Sequence, residues 1–144
     1  MIIYNIGFTG KNAEEFFTLL VKNNVKRLID VRLNNVSQLA GFANAKHLPY
    51  LLKVHNIEYC YMPNLAPTKD ILDNYKKKGI MSWEEYEEKY NKLLIEREIA
   101  KNIDINFFAN SVLLCSECTA ECCHRRLVCE YLQKNFKNIN IKEL

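Results

Sequence analysis

No part of this 144-residue chain is apolar for long enough to cross a bilayer, which argues against a membrane-spanning helix and a membrane partner. Met1–Gly10 lacks the basic start and long apolar core of a secretion signal, so the expected location is the cytoplasm. Charge of one sign is also missing: 20 Lys and Arg stand against 17 Asp and Glu, a net +3. A basic groove for nucleic acid is therefore permitted but not demanded. The one dense basic run, Lys76-Lys77-Lys78 before Gly79, reads as a solvated helix end whose cations suit the C-terminal dipole. Repeats, low-complexity tracts and linkers are absent as well, so residues 1–144 are expected to form one domain. What the chain does have is six cysteines. In a reducing compartment they argue for metal binding, catalysis or packing rather than a disulfide framework.

Apolar patterning predicts strands alternating with helices. Met1–Ile6 is a short apolar run ending at Gly7, as a buried strand would. Asn12 and Glu15 have capping-box spacing, and Ala13, Phe16, Phe17, Leu20 and Val21 then repeat at helical intervals. Lys26–Val31 gives a second strand. A helix is expected near Pro49, burying Leu48, Leu51, Leu52 and His55. Ile57–Met62 is a third strand, halted by Pro63. Pro67 and Thr68 open a short helix ending at Gly79. Ser82 and Glu85 cap a long helix to about Ala100, striped by Trp83, Tyr86, Tyr90, Leu93 and Leu94. Ser111–Cys115 is the fourth strand. Leu127, Val128, Tyr131 and Leu132 mark a last helix, and Ile139 and Ile141 a closing strand.

Strands separated by helices require crossover connections. The expected fold is therefore α/β, with a mostly parallel sheet of about five strands and helices on both faces. In such a sheet all strands end at one edge, and ligands bind outside those ends. Residues just past each strand become neighbours in space: Gly7–Gly10, Asp30–Leu33, Pro63–Leu65 and Cys115–Glu117.

The chemistry available on that edge follows from these loops. Gly7, Thr9 and Gly10 could make a tight turn and offer backbone N–H groups to an anion, although a strand-to-helix turn needs glycine for its own sake. Asp30 and Arg32, two apart in extended chain, share a face and could be a functional acid and base or a structural ion pair. Pro63-Asn64-Leu65 reads as shape rather than chemistry. The segment Cys115-Ser116-Glu117-Cys118-Thr119-Ala120-Glu121-Cys122-Cys123-His124-Arg125-Arg126 is the richest and admits three readings. Cys115, Cys118, Cys122, Cys123 and His124 could bind a metal, although a second CxxC pair is absent. A cysteine at a helix N-terminus beside His124, Arg125 and Arg126 could be a reactive thiolate, with Glu117 or His124 as acid or base. Cys60, Cys115 and Cys129 could simply be core, with His124 a hydrogen-bonded core histidine beside Val128. Arginines at a helix start oppose its dipole, so Arg125 and Arg126 call for an anionic partner: Glu117, Asp30 or a ligand. The cysteine-to-arginine spacings match neither phosphatase-like nor rhodanese-like loops.

Four stretches, taken in order, carry a family resemblance: Asn5-Ile6-Gly7-Phe8-Thr9-Gly10, Leu28-Ile29-Asp30-Val31-Arg32, Leu113-Leu114-Cys115-Ser116-Glu117 and Cys123-His124-Arg125. The chain resembles the domain-of-unknown-function 488 family along nearly its whole length. The resemblance implies a compact Rossmann-like α/β domain and attaches the family's motif to Gly7, Gly10, Asp30, Arg32, Cys115, Glu117, Cys123, His124 and Arg125. Cys118 and Cys122 fall outside that motif. It implies no established activity, and any cofactor is unknown.

These readings lead to an expected enzyme acting on an anionic small molecule or nucleotide. Arg32 and Arg125 would hold negative charge, Glu117 or Asp30 would handle a proton, and His124 would orient or share it. Cys115 or Cys123 could be a nucleophile, and either could equally be packing. The alternatives are a nucleotide- or nucleic-acid-binding module without turnover, and a metal-binding domain built on the 115–124 cluster.

Overall fold

A computed structural model of the chain describes residues 1–36, 40–116 and 122–144. The elements run β1 (Ile2–Gly7), α1 (Ala13–Lys22), β2 (Arg27–Asp30), α2 (Leu48–Val54), β3 (Glu58–Tyr61), α3 (Lys69–Lys76), α4 (Trp83–Glu96), α5 (Ile99–Asn102), β4 (Ser111–Cys115), α6 (His124–Asn135) and β5 (Asn140–Glu143). Short 3-10 turns occupy Gly41–Ala43, Pro63–Leu65 and Ile105–Phe108.

The five strands form one all-parallel sheet in the order β3-β2-β4-β1-β5. The fold is α/β and Rossmann-like, with helices on both faces. Strand alternation divides the core in two. Tyr4, Ile6, Leu28, Val112 and Leu114 face α1 and α2, meeting Phe16, Phe17, Leu20, Leu48 and Leu52. Ile3, Ile29 and Leu113 face the other way, against Tyr86, Tyr90 and Leu94 of α4 and Leu127, Val128 and Leu132 of α6. The central strand β4 is buried along its whole length, whereas every residue of the edge strands β3 and β5 is exposed or only half-buried.

The helix starts follow the local chemistry. Asn12, Thr68 and Ser82 each accept a hydrogen bond from the backbone N–H three residues on, at 2.8, 3.3 and 3.2 Å. Three details differ from the sequence expectation. Ala13 and Val21 are exposed, so the buried stripe of α1 is narrower than its apolar pattern. His55 lies on the surface rather than in the core, stacked on Phe17 with ring centroids 5.0 Å apart. The long helix stops at Glu96, because Glu98 takes a left-handed conformation at φ 52 and α5 restarts after it. There Arg97 donates to the Asn64 and Ala66 carbonyls at 2.7 and 2.6 Å, fixing the loop after β3. No helix among the described residues is long and apolar enough to cross a membrane.

Leu113→Ala removes a fully buried side chain from the central strand. It is expected to cost about 2–5 kcal/mol in urea unfolding, whereas Val21→Ala should stay within about 0.5 kcal/mol of the parent.

Candidate functional site

Because β4 lies between β1 and β2, the ends of these three strands stand side by side. Gly7 pairs with Cys115 and Asp30 with Leu114. The ladder runs on past the strands: the Val31 N–H donates to the Leu114 carbonyl at 3.2 Å, and the Thr9 N–H to the Ser116 carbonyl at 3.0 Å. A cavity of about 210 Å³ opens beside these ends, walled by Phe8, Leu72, Tyr75 and Tyr86 and reached by Arg32, Asn34, Cys115, Ser116, Cys123 and His124.

Alternation decides which side chains go where. Cys115 and Asn5 point to the α6 face, as Leu113 and Ile3 do, and there they meet the first turn of that helix. The His124 ring lies with Nδ1 3.8 Å from Cys115 Sγ. Its Nε2 is 2.6 Å from the Val31 carbonyl oxygen. A carbonyl can only accept, so Nε2 carries a proton and Nδ1 is the nitrogen that faces the thiol. Cys123 is the N-cap residue of α6, with no side-chain cap hydrogen bond, and its sulfur completes a buried group. The ligating atoms of Cys115, Cys123 and His124 all lie within 4.8 Å of one another.

This environment separates the two thiols. A hydrogen bond from the Cys123 thiol, with the neighbouring His124 and Arg125 charges, holds Cys115 well below the ordinary thiol pKa, against the opposing effect of burial. Cys123 is pushed the other way, by the hydrogen bond it gives to Cys115, by burial and by the thiolate's charge. Burial disfavours the His124 imidazolium, but the charge and hydrogen bond of Cys115 outweigh it and raise the His124 pKa. These shifts run in opposite senses for the two thiols, so the proton is held more tightly on Cys123 than on Cys115. Cys129, deeper on α6, is raised by burial.

Asp30 and Arg32 project from the opposite face of the sheet and form a closed pair. Asp30 is completely buried. Its carboxylate accepts from Arg32 Nε and Nη2 at 2.8 Å each, from the Arg32 N–H at 3.2 Å and from the Tyr59 hydroxyl at 2.8 Å. Arg32 Nη2 also donates to the Ala43 carbonyl at 2.7 Å, pinning the loop that follows β2. Its Nη1 is buried and has no hydrogen-bond partner among the described residues. The guanidinium lies 5.4 Å from the centre of the Phe8 ring. Of the two readings of Asp30 and Arg32, the structural pair is therefore realised, with one donor left over on the arginine.

Other expected site residues are placed differently. Of the first loop only Phe8 lines the cavity. Gly7 is buried and its carbonyl accepts from Lys11 Nζ, while Thr9 and Gly10 are exposed; Gly10, at φ +82, serves the turn. Arg125 is fully buried and turned away from the cavity: its Nε donates to Asn5 Oδ1 at 3.1 Å and its Nη2 to Glu143 at 3.2 Å. Arg126 lies near Glu87 and Glu130 at 3.5 and 3.3 Å. The anionic partners of these two arginines are thus Glu143, Glu87 and Glu130 rather than Asp30. Cys122 is exposed on the cavity rim and Cys60 is half-buried on β3. Glu117 and Cys118 lie outside the described residues. Sequence reasoning missed Phe8, Asn5, Tyr59 and the Val31 carbonyl; a carboxamide inside the apolar run of β1 was the one available signal.

A family model matches residues 12–132. The chain belongs to the family described as domain of unknown function DUF488. No curated protein and no solved structure shows a significant match. In this DUF488 chain the matched span takes in β2, β4 and the first turn of α6, hence Asp30, Arg32, Cys115, Cys123 and His124, while Gly7 and Gly10 precede it.

Asp30→Asn keeps the shape of the pair but leaves the Arg32 charge buried without a counter-ion. A loss of about 3–5 kcal/mol is expected in urea unfolding, with part of it recovered by adding Arg32→Met. An Asp30→Asn protein as stable as the parent would contradict the clamp.

Proposed function

We propose that this protein is an enzyme that attacks a small anionic molecule with the Cys115 thiolate, in the cavity at the strand ends. The observation that carries this reading is the line from Cys115 through His124 to the Val31 carbonyl: a thiol, a base facing it, and a third group that fixes the base. In the step this arrangement suits, the thiolate sulfur bonds to an electrophilic centre and the bond from that centre to its leaving group breaks. His124 Nδ1–H then supplies the leaving group's proton. Water or a second acceptor releases the product from sulfur.

The other groups take supporting roles. The spare Nη1 donor of Arg32 suits an anionic oxygen of the substrate, and Asp30 positions that guanidinium rather than moving a proton. Arg125 favours the thiolate from behind instead of touching substrate. Glu117, two residues beyond Cys115, keeps the role of a further proton carrier. The cavity of about 210 Å³ lies below the usual span of about 300–1,000 Å³ for ligand pockets, which favours a small molecule over a whole nucleotide.

Two measurements test this reading. Incubation with pools of nucleotides, phosphosugars and smaller carboxylates, followed by mass spectrometry, is expected to give a product or an adduct on Cys115. Product formed equally well by Cys115→Ser would overturn the nucleophile. Binding without product in either protein would leave a binding module instead.

The pH dependence of alkylation is the second. A depressed thiol pKa means the reactive anion persists as pH falls, until pH passes through that lowered value. Iodoacetamide should therefore label Cys115 ahead of Cys123 and Cys129, and at pH values where ordinary thiols have become unreactive. His124→Asn should move the profile toward the ordinary thiol range and slow labelling at neutral pH by about tenfold or more. A parent protein whose Cys115 reacts only in the ordinary range would exclude the ion pair.

A further inference from the structure

We propose that Cys115, Cys123 and His124 also form a three-ligand site for one soft divalent cation of the zinc class, with a fourth coordination position open toward the cavity. The inference goes beyond the nucleophile reading, because a metal-bound sulfur is no longer a free thiolate. Ion and substrate would then be alternative occupants of Cys115.

The geometry supports it on three counts. Zinc bonded to sulfur at about 2.3 Å and to nitrogen at about 2.0–2.1 Å, in a tetrahedron, separates a sulfur from a nitrogen ligand by about 3.6 Å and two sulfurs by about 3.8 Å. Cys115 Sγ and His124 Nδ1 are 3.8 Å apart, and no pair in the trio exceeds 4.8 Å, so closure on an ion needs shifts of about 1 Å or less. Secondly, the 2.6 Å contact of Nε2 with the Val31 carbonyl is the outer-shell bond that metal-ligating histidines use, and it leaves the Nδ1 lone pair aimed at the sulfurs. Thirdly, the donors are two thiols and an imidazole, which select zinc-class ions over magnesium or calcium. Two thiolates and a neutral imidazole would neutralise the ion, with the displaced protons passing to solvent. All three ligands also line the cavity, so the fourth position is directed to where a water could sit.

The test uses the full chain and Zn2+ alone. Competition with a chromophoric chelator is expected to show about one equivalent bound. Co2+ in its place should give the intense visible bands of a tetrahedral thiolate site. Zn2+ should also protect Cys115 from iodoacetamide. Cys123→Ser and His124→Asn should each weaken binding by roughly 100-fold or more, since loss of even an outer-shell partner costs about 10–100-fold. Cys60→Ser, on β3, should leave it unchanged. Absence of tight binding, or binding that survives Cys123→Ser but is lost in Cys118→Ser or Cys122→Ser, would overturn the site. If Cys123→Ser fails to fold, the parent protein decides: a Co2+ spectrum without thiolate bands, or Cys115 labelling undiminished by Zn2+, has the same force. Labelling of Cys115 without metal tests the nucleophile reading separately, so the two failures are distinguishable.

Discussion

The hydrogen bond between His124 Nε2 and the Val31 carbonyl, 2.6 Å long and fully buried, joins two segments 93 residues apart. It ties the first turn of α6 to the chain just past β2, and it fixes which ring nitrogen faces Cys115. Without it the imidazole could turn, Nδ1 would lose its aim, and neither a thiolate partner nor a metal ligand would be defined. Burial makes the constraint strong: an Nε2–H without an acceptor there would carry the desolvation penalty of an unsatisfied donor. The ring is held from another side by Tyr90, edge-on with centroids 5.7 Å apart, whose own hydroxyl is anchored on the Leu65 carbonyl at 2.6 Å.

Two arginines in this structure show how charge is buried by pairing it, Arg32 at the cavity wall and Arg125 away from the cavity. Arg32 and Asp30 neutralise one another beneath Phe8, and their geometry fixes the loop after β2 through the Ala43 carbonyl. Arg125 lies under the other face, bridging β1 through Asn5 and β5 through Glu143, and its charge reaches Cys115 through a low-dielectric interior. Both act on the site while serving the fold. That explains why their replacement is expected to affect stability as well as chemistry.

Much of the fold was legible in the sequence because burial imposes periodicity. Five apolar runs separated by helical stripes required crossovers, and crossovers required parallel strands; the sheet is all-parallel, with the expected strands at their expected places. Asn12, Thr68 and Ser82 marked helix starts through chemistry contained in four residues. The same local signals overreached where apolar character did not mean burial. Val21 fits the helical stripe but is 49% exposed, and His55, just past α2, lies on the surface.

The sequence by itself determined the fold class, the edge of the sheet on which chemistry could gather, and the residue types available there, because each depends on order and pattern along the chain. Only the tertiary structure decided the partners. Strand order is invisible to periodicity, yet inserting β4 between β1 and β2 is what sets Cys115 beside the end of β2 and Val31 within reach of His124. Alternation then sends Asp30 and Cys115, adjacent along the edge, to opposite faces of the sheet. That is why the acid pairs with Arg32 while the thiol meets His124, and why Arg125, on the α6 face, donates to Asn5 and Glu143.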